Sequence, residues 1–281
     1  MKIPYLFSRY GSAAGERGMA QVELALAGSK TVISRLRTKA PLLVQKALYP
    51  DSSMPGMAHV YLMSSAGGIL QGDRMDINII AGHGTSSRIT TQAATKIYKM
   101  DRGYAAQDIA ITAEDASYVE FIPYQLIPFK SSRFCQSVNI QAAQGSTVLY
   151  SETVSAGRTA SGEAFDFDIC FLKMDARDKN GKMLFSDAAK IEPASSKEFE
   201  RLFGGKTLWS MIYIVTPDHE SIDQQVNATI KEHSMLAGCS ILPRDCGLVV
   251  RMLDDSIDKV RHLTESISGI ARSHALQLAK P

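Results

Sequence analysis

Few residues in this chain stand at spacings that do chemistry by themselves. Gly204-Gly205-Lys206-Thr207 resembles the end of a phosphate-binding loop, G-x-x-x-x-G-K-[ST]. The first glycine of that pattern belongs at position 200, which is Glu200. A carboxylate there repels the phosphates such a loop cradles, so Gly204-Gly205 reads as a turn. The histidines (His59, His83, His219, His233, His262, His274) include no pair four apart and no H-E-x-x-H. Cys239 and Cys246 are separated by six residues, not the two of a zinc knuckle. Cys135 follows Arg133, whose charge favours a thiolate, but a cysteine without a local partner behaves as a small apolar core residue. No G-x-S-x-G elbow is present. Twelve methionines suit adaptable core filling better than thioether ligation of a metal. Local chemistry therefore supplies no catalytic residue and no high-affinity metal site. Only sites assembled from distant residues remain.

Three polar features stand where a β core should be apolar. Gly67-Gly68-Ile69-Leu70-Gln71-Gly72-Asp73 is a glycine-dense loop that ends in a carboxylate just before a strand. Thr90-Thr91-Gln92-Ala93-Ala94-Thr95-Lys96-Ile97-Tyr98 is short and polar on the side chains that would face an interior. Glu152 follows Leu149-Tyr150-Ser151. A glycine turn, an edge strand and a solvent-facing glutamate account for these residues; so does a hydrated polar passage or a docking surface. Gly67, Gly68 and Gly72 are expected to hold backbone geometry that a Cβ would strain.

The elements that must position these residues are mainly strands. Three segments share one template, an alternating strand, a small-residue turn opened by Ala, a Thr or Ser, and a second apolar run. Ile77, Ile109 and Val138 coincide, as do Ile79, Ile111 and Ile140, then Ala81, Ala113 and Ala142. The offsets are 32 and 29 residues. Period-two alternation places the aliphatic residues on one face. A repeat of this length predicts stacked β layers or a β-helix-like solenoid; three similar hairpins in a sandwich are the alternative. Further strands are expected at Val22–Leu26, 58–63 and 165–169, with a hairpin turn at Asp178-Lys179-Asn180-Gly181. Residues 194–197 read as a loop, followed by a strand from Leu208 to Val215. Ile222, Val226 and Ile230 then sit four apart behind Ser221, a candidate N-cap. Leu248-Val249-Val250 reads as a strand, and Ile257, Val260, Leu263, Ile267 and Ile270 form a second helical stripe opened by Asp254 and Asp255. The expected architecture is one mainly β scaffold over 1–281, with a β body at about 15–190 and a strand–helix–strand–helix portion at about 205–277.

Composition narrows the function classes. The 281 residues carry 31 Lys plus Arg against 29 Asp plus Glu, a net charge of +2, which removes the usual electrostatic basis for a nucleic-acid or polybasic membrane binder. An apolar share of 45% excludes disorder of the whole chain. No apolar stretch approaches the ~18 residues of a membrane span, and Met1-Lys2-Ile3-Pro4-Tyr5 lacks the apolar core of a secretory signal. Four cysteines make no disulfide framework, so a reducing cytoplasm is expected.

Ala66-Gly67-Gly68-Ile69-Leu70-Gln71-Gly72-Asp73, the run from Thr90 to Tyr98, Phe121-Ile122-Pro123-Tyr124-Gln125-Leu126-Ile127-Pro128-Phe129 and Gly157-Arg158 occur in order, and together they resemble the urease accessory proteins called UreD, or UreH in some bacteria. The resemblance covers about residues 20–275. One departure is Gln71, where the family often has another glycine. The resemblance implies a non-enzymatic urease maturation factor on a largely β, helicoid scaffold with two C-terminal helices. It also implies binding to the urease apoprotein and to UreF, which carries the GTPase UreG, and conduction of nickel through an internal water-filled tunnel. The polar positions of that tunnel map onto Asp73, Thr95, Glu152 and Asp187. Tyr124, Leu126, Ile127 and Phe129 are candidates for an apolar docking patch. No tightly bound cofactor is implied, only transient Ni²⁺. Sparse single carboxylates suit handover of such an ion, which a complete His/Cys cage would trap. Asp73 and Glu152 are expected to act on nickel passage and not on folding. A protein that stores or carries nickel on surface His and carboxylate sites is the second reading, and a β-sandwich hydrolase with a dispersed site the third.

Overall fold

The three repeats pair side by side in the register their sequences share. Ile77 lies opposite Ile109 and Ile109 opposite Val138; Ile79, Ile111 and Ile140 follow suit, then Ala81, Ala113 and Ala142. All these pairings are parallel, so the chain stacks as successive coils and the hairpin sandwich is excluded. The structure, a computed structural model, describes residues 5–11, 13–193, 201, 203–233 and 235–278; the loop expected at 194–197 lies outside them.

In chain order the strands are β1 (Arg17–Ala27), β2 (Lys30–Lys39), β3 (Leu42–Val44), β4 (Ala58–Ser64), β5 (Arg74–Ala81) and β6 (Ser86–Thr91). Next come β7 (Thr95–Ile97), β8 (Ala105–Ala113), β9 (Tyr118–Phe121), β10 (Leu126–Pro128), β11 (Arg133–Ala142) and β12 (Thr147–Ser155). β13 (Ile169–Asp178), β14 (Met183–Ile191), β15 (Leu208–Val215), α1 (Glu220–Glu232), β16 (Leu236–Ile241), β17 (Gly247–Asp254) and α2 (Ile257–Leu278) complete the chain. The first sheet runs β14-β13-β11-β8-β5-β1-β2 and the second β16-β17-β15-β12-β9-β6-β4-β3, with β10 pairing β12 on one side and β7 on the other. Each coil contributes one strand to each sheet.

Local chemistry closes each coil in the same way. The hydroxyls of Thr85, Ser117 and Ser146 donate to the carbonyls of Gly82, Glu114 and Ala143 at 2.7, 2.6 and 2.7 Å. The residue before each hydroxyl is left-handed: Gly84 at φ +65°, Ala116 at +56° and Gly145 at +77°. Ala116 thus adopts a conformation that glycine adopts without cost.

The molecule has three layers. The main apolar core lies between the sheets, from Val22, Ile77, Ile109 and Val138 to Tyr150, Met211 and Tyr213. A second core packs Leu149, Ile212, Ile214 and Val250 of the second sheet against Val226, Leu263 and Ile267 of the helices. β12 is therefore buried on both faces along its whole length. The result is a mainly β solenoid scaffold with two C-terminal α-helices, as expected.

Several local expectations are corrected. Ser221 is not the N-cap of α1: the helix begins at Glu220 after His219, and the Ser221 hydroxyl bonds Asp218 inside the first turn. Residues 165–168 are not strand; Phe165 turns left-handed at φ +56°, both Phe165 and Phe167 bury in the core, and β13 begins at Ile169. β16 was not expected, because its alternation (Leu236-Ala237-Gly238-Cys239-Ser240-Ile241) leaves Leu236 and Ile241 exposed on an edge strand. The Asp254 carboxylate does open α2, accepting the amides of Asp255 and Ser256, both at 2.8 Å.

Candidate functional site

The inward face of the sheets carries a polar row. β8 and β11 present Gln107 and Gln136 in register, two residues before the aligned isoleucine or valine of each repeat. Gln107 Nε2 donates to Gln136 Oε1 at 3.1 Å, and Gln136 Nε2 donates to the Tyr150 hydroxyl at 3.0 Å and to Glu152 Oε1. Tyr150 Oη donates to the same glutamate oxygen at 3.2 Å. Tyr150 and Glu152 are alternate residues of β12, so the pleat points both between the sheets. Both glutamines were missed at the sequence level, although the repeat offsets that align Ile109 with Val138 also align Gln107 with Gln136.

Glu152 is 5% exposed, and burial pushes its carboxyl from 4.5 up to about 7, against the hydrogen bonds from Tyr150 and Gln136 that favour the charged form. Two cavities meet at this side chain. The proximal one, about 190 Å³, reaches Gly68, Thr95, Tyr124, Leu126 and Gln136. The distal one, about 230 Å³, reaches Met174, Asp187, Met211, Tyr213 and Arg251. Each has room for several water molecules and polar groups to hold them. Three of the four tunnel positions inferred from the resemblance (Thr95, Glu152 and Asp187) therefore line one pair of adjoining cavities. Asp187 accepts the Tyr213 hydroxyl at 2.9 Å and pairs with Arg251.

Asp73 does something else. It is 4% exposed and lines neither cavity. Its Oδ1 accepts the Glu16 amide and its Oδ2 the Leu70 amide, both at 2.8 Å. The carboxylate pins the glycine loop to the segment before β1, so the expectation that Asp73 is free of any folding role is corrected. The loop's glycines fit tightly. A Cβ on Gly72 (φ +81°) would stand 2.4 Å from the Ala14 carbonyl oxygen, and one on Gly68 would stand 2.6 Å from that of Lys96. Gly67 is looser: its nearest neighbour would be the Tyr98 hydroxyl at 3.2 Å.

The candidate docking patch is corrected as well. Leu126 is 5% exposed and belongs to the core. Tyr124, Ile127 and Phe129 are half-buried. Arg261 lies over the Tyr124 ring at 4.0 Å and Arg158 over Phe129 at 4.3 Å, while Tyr98 meets Phe129 edge-on at 5.0 Å. These four side chains form no exposed apolar patch, because two prolines and pairing with β7 and β12 turn the segment inward. Large apolar side chains exposed instead include Leu43, Leu48, Leu70, Leu236 and Ile241.

The other chemical candidates resolve into structure. Lys206 Nζ and the Thr207 amide bond the Asp255 carboxylate at 2.8 and 3.0 Å, so the loop-like sequence there is a turn tied to the start of α2. Arg133 pairs with Asp168 at 2.7 Å, and burial pushes the Cys135 thiol up to about 12. No group of three or more His, Cys, Asp or Glu that could hold a metal ion occurs among the described residues. On the helix-facing side of the second sheet, fully buried Glu120 accepts Arg272 through both oxygens at 2.8–2.9 Å, Arg88 at 3.0 Å and Tyr118 at 2.7 Å. Arg272 also reaches Asp51 at 2.6 Å. This network fastens α2 to the sheet and lies on the opposite face of the sheet from Glu152.

Comparison with known proteins places the whole chain. The model of the family described as UreD urease accessory protein matches residues 16–281. A urease accessory protein UreD of Cenarchaeum symbiosum is 35% identical over 271 residues, covering 95% of each chain. UreD 2 of Streptomyces griseus is 33% identical over 91% of this chain and 89% of its own, and UreD 2 of Brucella canis 36% identical over 90% and 85%. With the family model matching residues 16–281 and relatives 33–36% identical over nine-tenths or more of its length, the chain belongs to the UreD family of urease accessory proteins.

Proposed function

We propose that this chain is a non-catalytic cytoplasmic scaffold that binds the urease apoprotein and the UreF/UreG complex and passes Ni²⁺ along the line Thr95–Glu152–Asp187. The observation that carries this reading is the position of Glu152, a single carboxylate shared by two cavities that otherwise reach toward opposite ends of the sheet stack. Titrating near 7, Glu152 is ionised in a useful fraction at neutral pH and is only weakly committed to its charge. It can replace part of the water shell of a passing cation and release it again. Ni²⁺ accepts carboxylate and water oxygen, and one carboxylate among hydroxyls and amides makes a brief stop, not a trap.

The test is co-expression of Glu152→Gln and Glu152→Lys with the urease and accessory genes, followed by pull-down, nickel analysis and urease assay. Both variants should still capture the apoprotein and UreF. Glu152→Gln should lower the nickel content of the recovered urease, and Glu152→Lys should lower it further. An ammonium about 5 Å from Ni²⁺, at an effective dielectric of about 20, raises the ion's energy by about 7 kcal/mol. Full nickel loading in both variants would leave a docking scaffold without a conducting role.

A further inference from the structure

The distal cavity ends at a group of the wrong sign for a cation path. Arg251 on β17, the second strand of its sheet, pairs with Asp187 on β14, an edge strand of the other, and the two side chains meet across the gap between the sheets. Arg251 stands in register with Met211, and Met211 with Glu152, so the three form one row across adjacent strands. Opposite them, Asp187 stands in register with Met174. All five side chains line the same cavity. A cation leaving Glu152 in this direction therefore meets Met211 and then the guanidinium.

Asp187 has a second, buried partner, and Arg251 is the more exposed member of the pair. The same Asp187 oxygen that meets Arg251 also accepts the Tyr213 hydroxyl at 2.9 Å, and the Tyr213 ring is buried and stacked on Phe185 at 5.7 Å. The Arg251 side chain is 50% exposed and that of Asp187 29%. A guanidinium keeps its proton at any physiological pH, so its charge leaves the mouth only by rotation of the side chain. An ion pair this exposed opens readily.

We propose that Arg251 is a gate at the Asp187 end of the passage. Paired, it neutralises Asp187 and closes the mouth to divalent cations; turned into solvent, it frees Asp187 to take one. The gate rests on the nickel-passage reading above. It acts as a positioning residue through Asp187.

The two sides of the pair should then respond with opposite signs. Asp187→Asn leaves an unpaired cation in the mouth and should slow nickel loading of co-expressed urease about tenfold. Arg251→Gln removes the cation and should load at least as fast as the unmodified protein. The double variant Asp187→Asn/Arg251→Gln, which lacks both the cation and the carboxylate that takes the ion, should load faster than Asp187→Asn but slower than Arg251→Gln. A merely structural ion pair predicts that both single variants fail alike and that their thermal stabilities fall with them, so melting temperature and apoprotein pull-down are measured on the same preparations. Loading at the normal rate in Asp187→Asn, or a double variant as slow as Asp187→Asn, would overturn the gate. Glu152→Lys, run in parallel, separates the two levels. If it blocks loading while the mouth variants behave as a structural pair, only the gate falls. If it loads normally, the passage and the gate fall together.

Discussion

Removing the charge of Glu152 should stabilise this protein at alkaline pH while impairing its work. In the unfolded chain the carboxyl titrates near 4.5; in the folded protein, burial moves it to about 7. Between those values the native state holds a proton that the unfolded state has released, so stability falls as pH rises through that window. At 1.36 kcal/mol for each tenfold change, the full loss is about 3 kcal/mol, essentially complete at pH 8, with under about 1 kcal/mol of it present at pH 5. Glu152→Gln keeps the shape and an acceptor for Gln136 and Tyr150 but cannot ionise. The variant should gain about 2.5 kcal/mol on the unmodified protein between pH 5 and pH 8. For a chain of this size that is roughly 5–10 °C in melting temperature. The assay is thermal unfolding of both proteins at pH 5, 6, 7 and 8; histidines and surface carboxylates titrate in both and cancel in the difference. A difference that stays flat with pH would refute the argument that Glu152 sits buried and unpaired by any cation. A carboxylate retained at such a cost fits a residue kept for its charge and not for the fold.

Three further outcomes follow from the geometry. Ala116→Gly should leave stability unchanged or raise it by up to about 1 kcal/mol, because the left-handed turn costs an L-residue about 1–2 kcal/mol and part of this returns as unfolded-chain entropy; Ala116→Val should destabilise, and urea unfolding of both variants checks the pair. Asp73→Asn should destabilise by about 1–3 kcal/mol, since one carboxylate oxygen that accepts a backbone amide becomes an NH₂ group; protection of the Glu16 and Leu70 amides from hydrogen exchange should fall with it, and unchanged protection would exclude the pinning role. Arg272→Met should cost about 3–5 kcal/mol by leaving fully buried Glu120 short of its main partner; adding Glu120→Gln to it should recover part of that loss in chemical denaturation.

The repeat was legible in the sequence because its cause is local. Pleat alternation places residues i and i+2 on one face, and a Thr or Ser hydroxyl closes each turn onto a carbonyl three residues back. When such units stack in parallel, aligned residues become paired residues, so the match of Ile77, Ile109 and Val138 in the sequence is also their register in the sheet. The same offsets contained Gln107 and Gln136. The helical stripes from Ile222 and Ile257 were equally local.

Only the tertiary structure decided how each polar side chain is used. β12 is buried on both faces, so no alternation of apolar and polar residues reveals which face looks into the sheet stack and which toward the helices; Glu152 reads the same either way. Asp73 and Glu152 are both single carboxylates in β surroundings, yet one is engaged by the amide of Glu16, 57 residues away, and the other opens onto two cavities. Arg251 and Asp187 lie 64 residues apart on strands of different sheets and meet only because the two sheets pack face to face. Strand periodicity is a property of neighbouring residues along the chain. Contact across the gap between two sheets depends on how every coil in between has stacked.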